Sequence, residues 1–260
     1  MPRAERDASA LRSSFDGLTA IVAAMPEELA VLESLVLPTR RHRLGSCDAL
    51  RGTLEGCDVI LATTGDGPKR AEKGIRALLD ELEVARLLVA GISGGLSETL
   101  QLGAVVVARE VRHSDEVVPA PDADWLQFAL ERGNVQGAVL LTADRILSTS
   151  ASKAQARESL ATSELSAVDL ETAVYARVAA ERGIPYLVLR VICDTANEDL
   201  PLDLNECLDE SGGVSRVKVM QHAMRHPSLM GKLLSLRKRV NQAAEALARH
   251  VPELLKGPVS

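Results

Sequence analysis

The chain has 260 residues, of which 46% are hydrophobic and only 2% aromatic, enough for one sizeable core built from Leu, Val, Ile and Ala. Its net charge of −6 speaks against nucleic acid as a general partner. Four cysteines without C-x-x-C spacing, and no paired His pattern, indicate neither a metal site nor a disulfide framework; a reduced cytoplasm fits best.

Residues 1–17 are charged and Ser/Ala-rich and read as a flexible tail without a signal peptide, ahead of one domain over 18–256. No apolar run approaches a membrane span. Leu18 to Ala24 reads as a buried strand, and Met25-Pro26-Glu27-Glu28 as a helix start with acids in the first turn. On local grounds both glutamates are exposed, dipole-matching residues. The helix is expected to run to Val36 and to stop at Leu37-Pro38-Thr39, leaving Arg40 to Arg43 as a solvated basic surface.

Cys57 to Thr63 is a second apolar strand, followed by the turn Thr64-Gly65-Asp66-Gly67-Pro68-Lys69-Arg70. Its glycines suit backbone N–H groups that approach an anion or a sugar, or simply a tight turn; a Walker loop is absent. A helix over Ala71 to Leu82 precedes the strand Arg86 to Ile92, which runs into Ser93-Gly94-Gly95. Further strands are expected over Ala104 to Glu110 and Gly137 to Ala143, with a helix at Asp124 to Arg132 between them and another from Ser152. His113 reads as a surface residue.

The most telling stretch is Ala167 to Asn197, AVDLETAVYARVAAERGIPYLVLRVICDTAN. Val174, Val178 and Ala179 recur at helical spacing, Gly183 stops the helix, and Tyr186 to Ile192 is a strand. Glu171 falls where the helix begins and Asp194 where the strand ends. Ligands of open α/β sheets bind outside the carboxyl ends of the strands, so two carboxylates there call for a chemical explanation. Glu198 to Gly213 reads as an acidic loop or lid. Val214 to His250 is helical with a break near Pro227; Leu229, Leu233, Leu236 and Val240 form an apolar stripe opposite Lys232, Arg237, Lys238 and Arg239. Such a helix packs on its own domain or lies on a membrane surface. Six or seven strands alternating with helices predict a three-layer α/β/α domain with a mixed, mostly parallel sheet.

Four segments carry a family resemblance: IVAAMPEEL, AGISGGLSETLQLGAVVVARE, AVDLETAVYARV and VLRVICDTAN. Together they resemble the purine nucleoside phosphorylase superfamily, most closely its 5′-methylthioadenosine/S-adenosylhomocysteine nucleosidase branch. AVDLETAVYARV is similar to that branch's V-E-M-E-A motif and VLRVICDTAN to its R-A-I-S-D motif. TGDGPKRAE, TADRILSTSASK, DTANEDLPLDL and the tail RHPSLMGKLLSLRKRVNQAAEALAR resemble hopanoid-associated phosphorylases, thought to release adenine from an adenosyl-lipid.

The resemblance implies cleavage of the N-glycosidic bond of an adenine nucleoside, with methionine salvage as the setting. A purine leaves poorly as an anion and must be protonated, while the oxocarbenium-like sugar favours nearby negative charge. By the resemblance, Asp194 is the acid at the purine and Glu28 the residue that activates water. Glu171 receives the ribose hydroxyls, Leu170 stands under the sugar where the family has methionine, and Asp169 replaces the motif's first glutamate. Met25, Ile92, Ser93 and Gly94 line the ribose or nucleophile site. Arg145 and Ile146 occupy the region that normally stacks an aromatic on the base. No cofactor or metal is implied. The partners implied are a small-molecule nucleoside, phosphate in the phosphorylase alternative, and a second copy of the chain in a homo-oligomer. The alternatives are a phosphorylase acting on a nucleoside with a bulky 5′ group, such as an adenosyl-hopanoid, and a non-catalytic nucleoside-binding protein.

Overall fold

The computed structural model describes residues 17–45, 47–114 and 116–258, so the predicted tail lies outside the described residues apart from Gly17. Among the described residues nine strands are formed: β1 (Thr19–Ala23), β2 (Leu37–Leu44), β3 (Cys47–Leu54), β4 (Cys57–Thr63), β5 (Arg86–Gly95), β6 (Val105–Arg112), β7 (Gln136–Thr142), β8 (Ser166–Asp169) and β9 (Tyr186–Asp194). The helices are α1 (Pro26–Glu33), α2 (Pro68–Glu81), α3 (Ala123–Arg132), α4 (Ser150–Ser159), α5 (Thr172–Glu181), α6 (Arg216–Arg225) and α7 (Leu229–Leu254). The sheet order is β2-β3-β4-β1-β5-β8-β7-β6-β9, and β5 pairs with β9 as well. The pairs β1–β4, β1–β5, β5–β9, β6–β7 and β7–β8 are parallel.

Five strands thus close a ring, from β5 through β8, β7, β6 and β9 back to β5. One strand can serve two neighbours because it changes partner along its length. Leu87 to Gly94 run beside β9, with a register shift between Ser93 and Gly94, and Gly94 and Gly95 also meet β8. Glycine in a strand marks such bends and close approaches, and a Cβ on Gly94 would stand 3.2 Å from Val168 Cγ1.

Period-two alternation sorts the core into two faces. Ala20, Val22, Ile60, Ala62, Leu87 and Val89 pack with Ile75 and Leu78 of α2 and with Tyr175 and Val178 of α5. Ile21, Ala23, Val59, Leu61, Leu88 and Ala90 pack with Leu29 and Leu32 of α1, Trp125 of α3, and Leu247 and Val251 of α7. This is the α/β/α layering that the alternating strands and helices predict. Burying Leu247 alone contributes about 1.5–3 kcal/mol. The end of α7 is clamped by Arg86, which donates to the carbonyls of Leu255 at 2.5 Å and Gly257 at 2.6 Å while lying 4.6 Å over the Trp125 ring.

The structure corrects the reading of residues 34–54. Helix α1 ends at Glu33, and the segment read as helix end and basic surface is β2, paired antiparallel with β3. An edge strand needs no continuous apolar pattern, and Pro38 is tolerated there because one side of the strand is unpaired. Arg40, Arg41 and Arg43 are exposed on it, as a basic surface should be.

Candidate active site

The carboxyl ends of β1, β5, β8 and β9 open into one cavity of about 370 Å³, within the range of small-molecule sites. Glu28, Glu171 and Asp194 all line it, as do Met25, Ile92, Ser93, Gly94, Arg145, Ile146, Asp169 and Leu170. The residues to which the resemblance gives a place in the site are therefore brought to a single cavity.

Glu28 is not the exposed first-turn acid that local rules suggest; it is 3% exposed. Its carboxylate accepts hydrogen bonds from the backbone N–H of Met25 at 2.7 Å and of Ile92 at 2.8 Å. These bonds tie the α1 entry to the end of β5. Burial pushes its proton affinity up, opposed by the Arg190 charge and by the two N–H donors. Gly91 makes this packing possible, because a Cβ there would lie 2.6 Å from Arg190 Nη1 and 2.7 Å from Glu28 Oε1.

Arg190 is buried within β9, and its guanidinium donates to Asp169 Oδ2 through Nε at 3.1 Å and Nη2 at 2.8 Å. Asp169 also accepts from the hydroxyls of Thr142 at 3.0 Å and of Thr172. Its oxygens are thus engaged by the protein, and the pair holds β8 against β9. Glu171 follows two residues later at the start of α5. Its Oε1 accepts the N–H of Gly67 at 2.8 Å, from the turn after β4. Burial, then the neighbouring Asp169 charge, raises its carboxyl to about 8. A group of this kind is largely protonated at neutral pH, able to donate one hydrogen bond and accept others.

Asp194 closes β9 beside Lys153, which α4 delivers at 1% exposure. Burial raises the Asp194 carboxyl, and the Lys153 charge and hydrogen bond pull it back down. The adjacent Cys193 thiol is pushed up to about 12 by burial and by the Asp194 charge, which leaves it a poor nucleophile. The buried Ser93 hydroxyl has no hydrogen-bond partner among the described residues.

The far wall is of different chemistry. Leu200 and Leu204 from the loop after β9, Val219 from α6, and Leu233, Leu236 and Val240 from α7 line it. This cover is fastened at its rim by polar contacts: Asp209 to Arg70 at 2.5 Å, the Val214 N–H to Asp66 at 2.5 Å, Arg216 to Glu27, and Arg239 to Glu198 at 2.6 Å. Asn205 adds a two-way latch, accepting from the Ile146 N–H at 3.0 Å and donating to its carbonyl at 2.8 Å.

Lys153 and Asn205 are the site features that the sequence reading missed. A lysine in the polar run STSASKAQARES reads as solvated. The available signal was its register: Lys153, Ala156 and Leu160 share one helical face, and Leu160 is buried.

Comparison with known proteins agrees with this architecture. Residues 19–223 match the family model described as the phosphorylase superfamily. A 5′-methylthioadenosine/S-adenosylhomocysteine nucleosidase of Bacillus licheniformis is 27% identical over 214 residues, spanning 74% of this chain and 92% of that protein. The structure of the enzyme of the same description from Neisseria meningitidis, in complex with methylthio-immucillin-A, superposes with a TM-score of 0.72 at 21% identity, covering 92% of this chain and 98% of the other. The futalosine hydrolase of Helicobacter pylori gives 0.68 at 20% identity, covering 91% and 96%. At such identities the solved structures establish the shared fold, and the family match extends across the strands that bring Glu28, Glu171 and Asp194 to the cavity and ends before α7. The chain belongs to the phosphorylase superfamily.

Proposed function

We propose that this protein hydrolyses the N-glycosidic bond of an adenine nucleoside and releases the base. The observation that carries this reading is the convergence of Glu28, Glu171 and Asp194 on one cavity. Asp194 protonates the purine as the bond to the sugar stretches. Glu28 takes a proton from the attacking water, and Glu171 hydrogen-bonds the ribose hydroxyls. The kinship with nucleosidases and four free cysteines support a role in nucleoside turnover in a reducing cytoplasm.

A second reading concerns the 5′ substituent. The wall formed by Leu200, Leu204, Val219, Leu233, Leu236 and Val240 offers a zwitterionic amino-acid tail no polar side chain, and suits a bulky apolar group. One experiment tests both readings. Adenine and the sugar product are quantified for 5′-methylthioadenosine, S-adenosylhomocysteine and an adenosine bearing a long 5′ hydrocarbon, with and without phosphate and anionic vesicles. Adenine release with a free reducing sugar in phosphate-free buffer is the expected result; a sugar 1-phosphate formed only with phosphate sinks the hydrolytic reading. The apolar nucleoside is expected to be cleaved with a kcat/KM at least tenfold above that of S-adenosylhomocysteine. Equal values overturn the second reading.

Glu171 gives a further expectation. Its folded-state carboxyl lies at about 8 against an ordinary 4.5, so between those values the folded protein holds a proton that the unfolded chain has released. Stability from this group is therefore complete below about pH 4.5 and lost as pH rises through 8. Thermal melts of wild type should fall across that window, and Glu171→Gln should flatten the fall. The same variant should weaken binding of a normal nucleoside more than that of its 2′,3′-dideoxy analogue. Equal losses on the two substrates count against ribose contact.

A further inference from the structure

Lys153 raises a physical question that the fold does not answer. A buried ion pair is weak support for stability, because a well-packed apolar side chain of similar volume does as well or better. Yet this ammonium is 1% exposed and fully committed: it donates to Asp194 Oδ1, to the Thr195 carbonyl at 2.8 Å and to the Glu198 carbonyl at 2.9 Å. Its three protons are all used, one on the carboxylate and two on the chain that follows it. Asp194 is therefore held in place from both sides. Gly94 of β5 lies against it, where a Cβ would stand 3.0 Å from Oδ1 and 3.4 Å from Oδ2.

The other charged and titratable groups around Asp194 are few. Arg239 of α7 and Glu198 of the following loop neutralise each other at 2.6 Å, and Cys193 on the same strand keeps its proton. Glu28 stands elsewhere on the cavity wall, bonded to backbone N–H groups. Lys153 is thus the cation bonded directly to the Asp194 carboxylate.

We propose that Lys153 is a positioning residue for the reaction: it fixes Asp194 Oδ1, leaves Oδ2 to serve the leaving purine, and stabilises the carboxylate that remains once the proton has moved. The inference rests on the reading of Asp194 as the acid. In the step, the O–H bond of Asp194 breaks and an N–H bond forms on the purine ring. The electron pair of the glycosidic bond passes to the purine, and water supplies the new bond to the anomeric carbon. An ammonium at Oδ1 favours the carboxylate side of this transfer.

The test is the pH dependence of adenine release from 5′-methylthioadenosine by wild type, Lys153→Met, Lys153→Gln and Lys153→Arg. An acid that must be protonated loses activity as pH rises through its titration. Without the cation the proton is held more firmly, so the alkaline limb of kcat/KM moves upward. Removal of such a charge shifts a carboxyl by about 1–3 pH units. The expected result is a limb displaced upward by at least one unit in the Met and Gln variants, with kcat reduced by about tenfold or more. The Arg variant should return the limb toward wild type. Should the Met variant fail to fold, the Gln variant decides alone, since its amide still donates to the carboxylate. A limb left at the wild-type pH overturns the role of Lys153 and leaves that of Asp194 standing. No adenine release by the wild type from any nucleoside tested overturns the functional reading and this inference with it.

Discussion

Asp194→Asn is expected to give a folded protein whose turnover of adenine nucleosides is reduced by about 10²–10⁴, the usual contribution of a positioned general acid. The asparagine keeps the shape of the side chain, and its carbonyl still accepts the Lys153 hydrogen bond. It has no acidic proton for the purine. The substitution also strips the counter-charge from a lysine that is 1% exposed. Breaking one side of a buried pair costs about 3–5 kcal/mol, and the retained hydrogen bond holds the loss at the lower end. Two readouts separate the effects. Circular dichroism should show native secondary structure with a lowered Tm, and kcat measured well below that Tm should remain depressed. Turnover above a tenth of wild type in a folded Asp194→Asn protein removes Asp194 from the chemistry.

Much of the fold is legible in the sequence because the central strands are apolar on both faces. Leu18 to Ala24, Cys57 to Thr63, Arg86 to Ile92 and Tyr186 to Ile192 stand out as runs, and the elements between them follow helical spacing. The β2–β3 hairpin escaped because it is an edge: LPTRRHRL buries none of its side chains, and a pattern search has nothing to find. Ring closure escaped for another reason. It depends on β5 switching partners at Gly94 and Gly95, a tertiary event that a diglycine permits but does not announce.

The site divides in the same way. Glu171 and Asp194 are visible from their places at element ends, without any contact being known. Glu28 is misleading by local rules, since an acid in a first turn is ordinarily solvated. What buries it is the arrival of β5 and Arg190 from more than sixty residues away in the chain, as the contacts to Ile92 and Arg190 show. Lys153 has the same history. Its partner lies 41 residues further on, and only the packing of α4 against the end of β9 removes it from water. Long-range burial of a charge leaves little trace in composition.

Glu28→Gln should be the second severe lesion, and it bears on the choice between water and phosphate as nucleophile. Both carboxylate oxygens accept backbone N–H groups, from Met25 and Ile92. A glutamine can accept only one of them, because its NH₂ would face the other as donor against donor. One buried N–H then loses its partner, which costs about 1–3 kcal/mol. Arg190 keeps its bonds to Asp169, so the strand core survives. The catalytic loss is larger. Water needs a base to become a competent nucleophile, and a positioned base is worth about 10²–10⁴ in rate. Hydrolysis by the variant should fall by at least a hundredfold. The base must be ionised to act, and burial holds it above the ordinary carboxyl value of 4.5, so the acidic limb of the wild-type kcat/KM profile should lie above that value. Phosphate is already an anion and needs no such base. If phosphate restores turnover in Glu28→Gln and yields a sugar 1-phosphate, the site is a phosphorylase; if the variant stays slow at every phosphate concentration, Glu28 serves water.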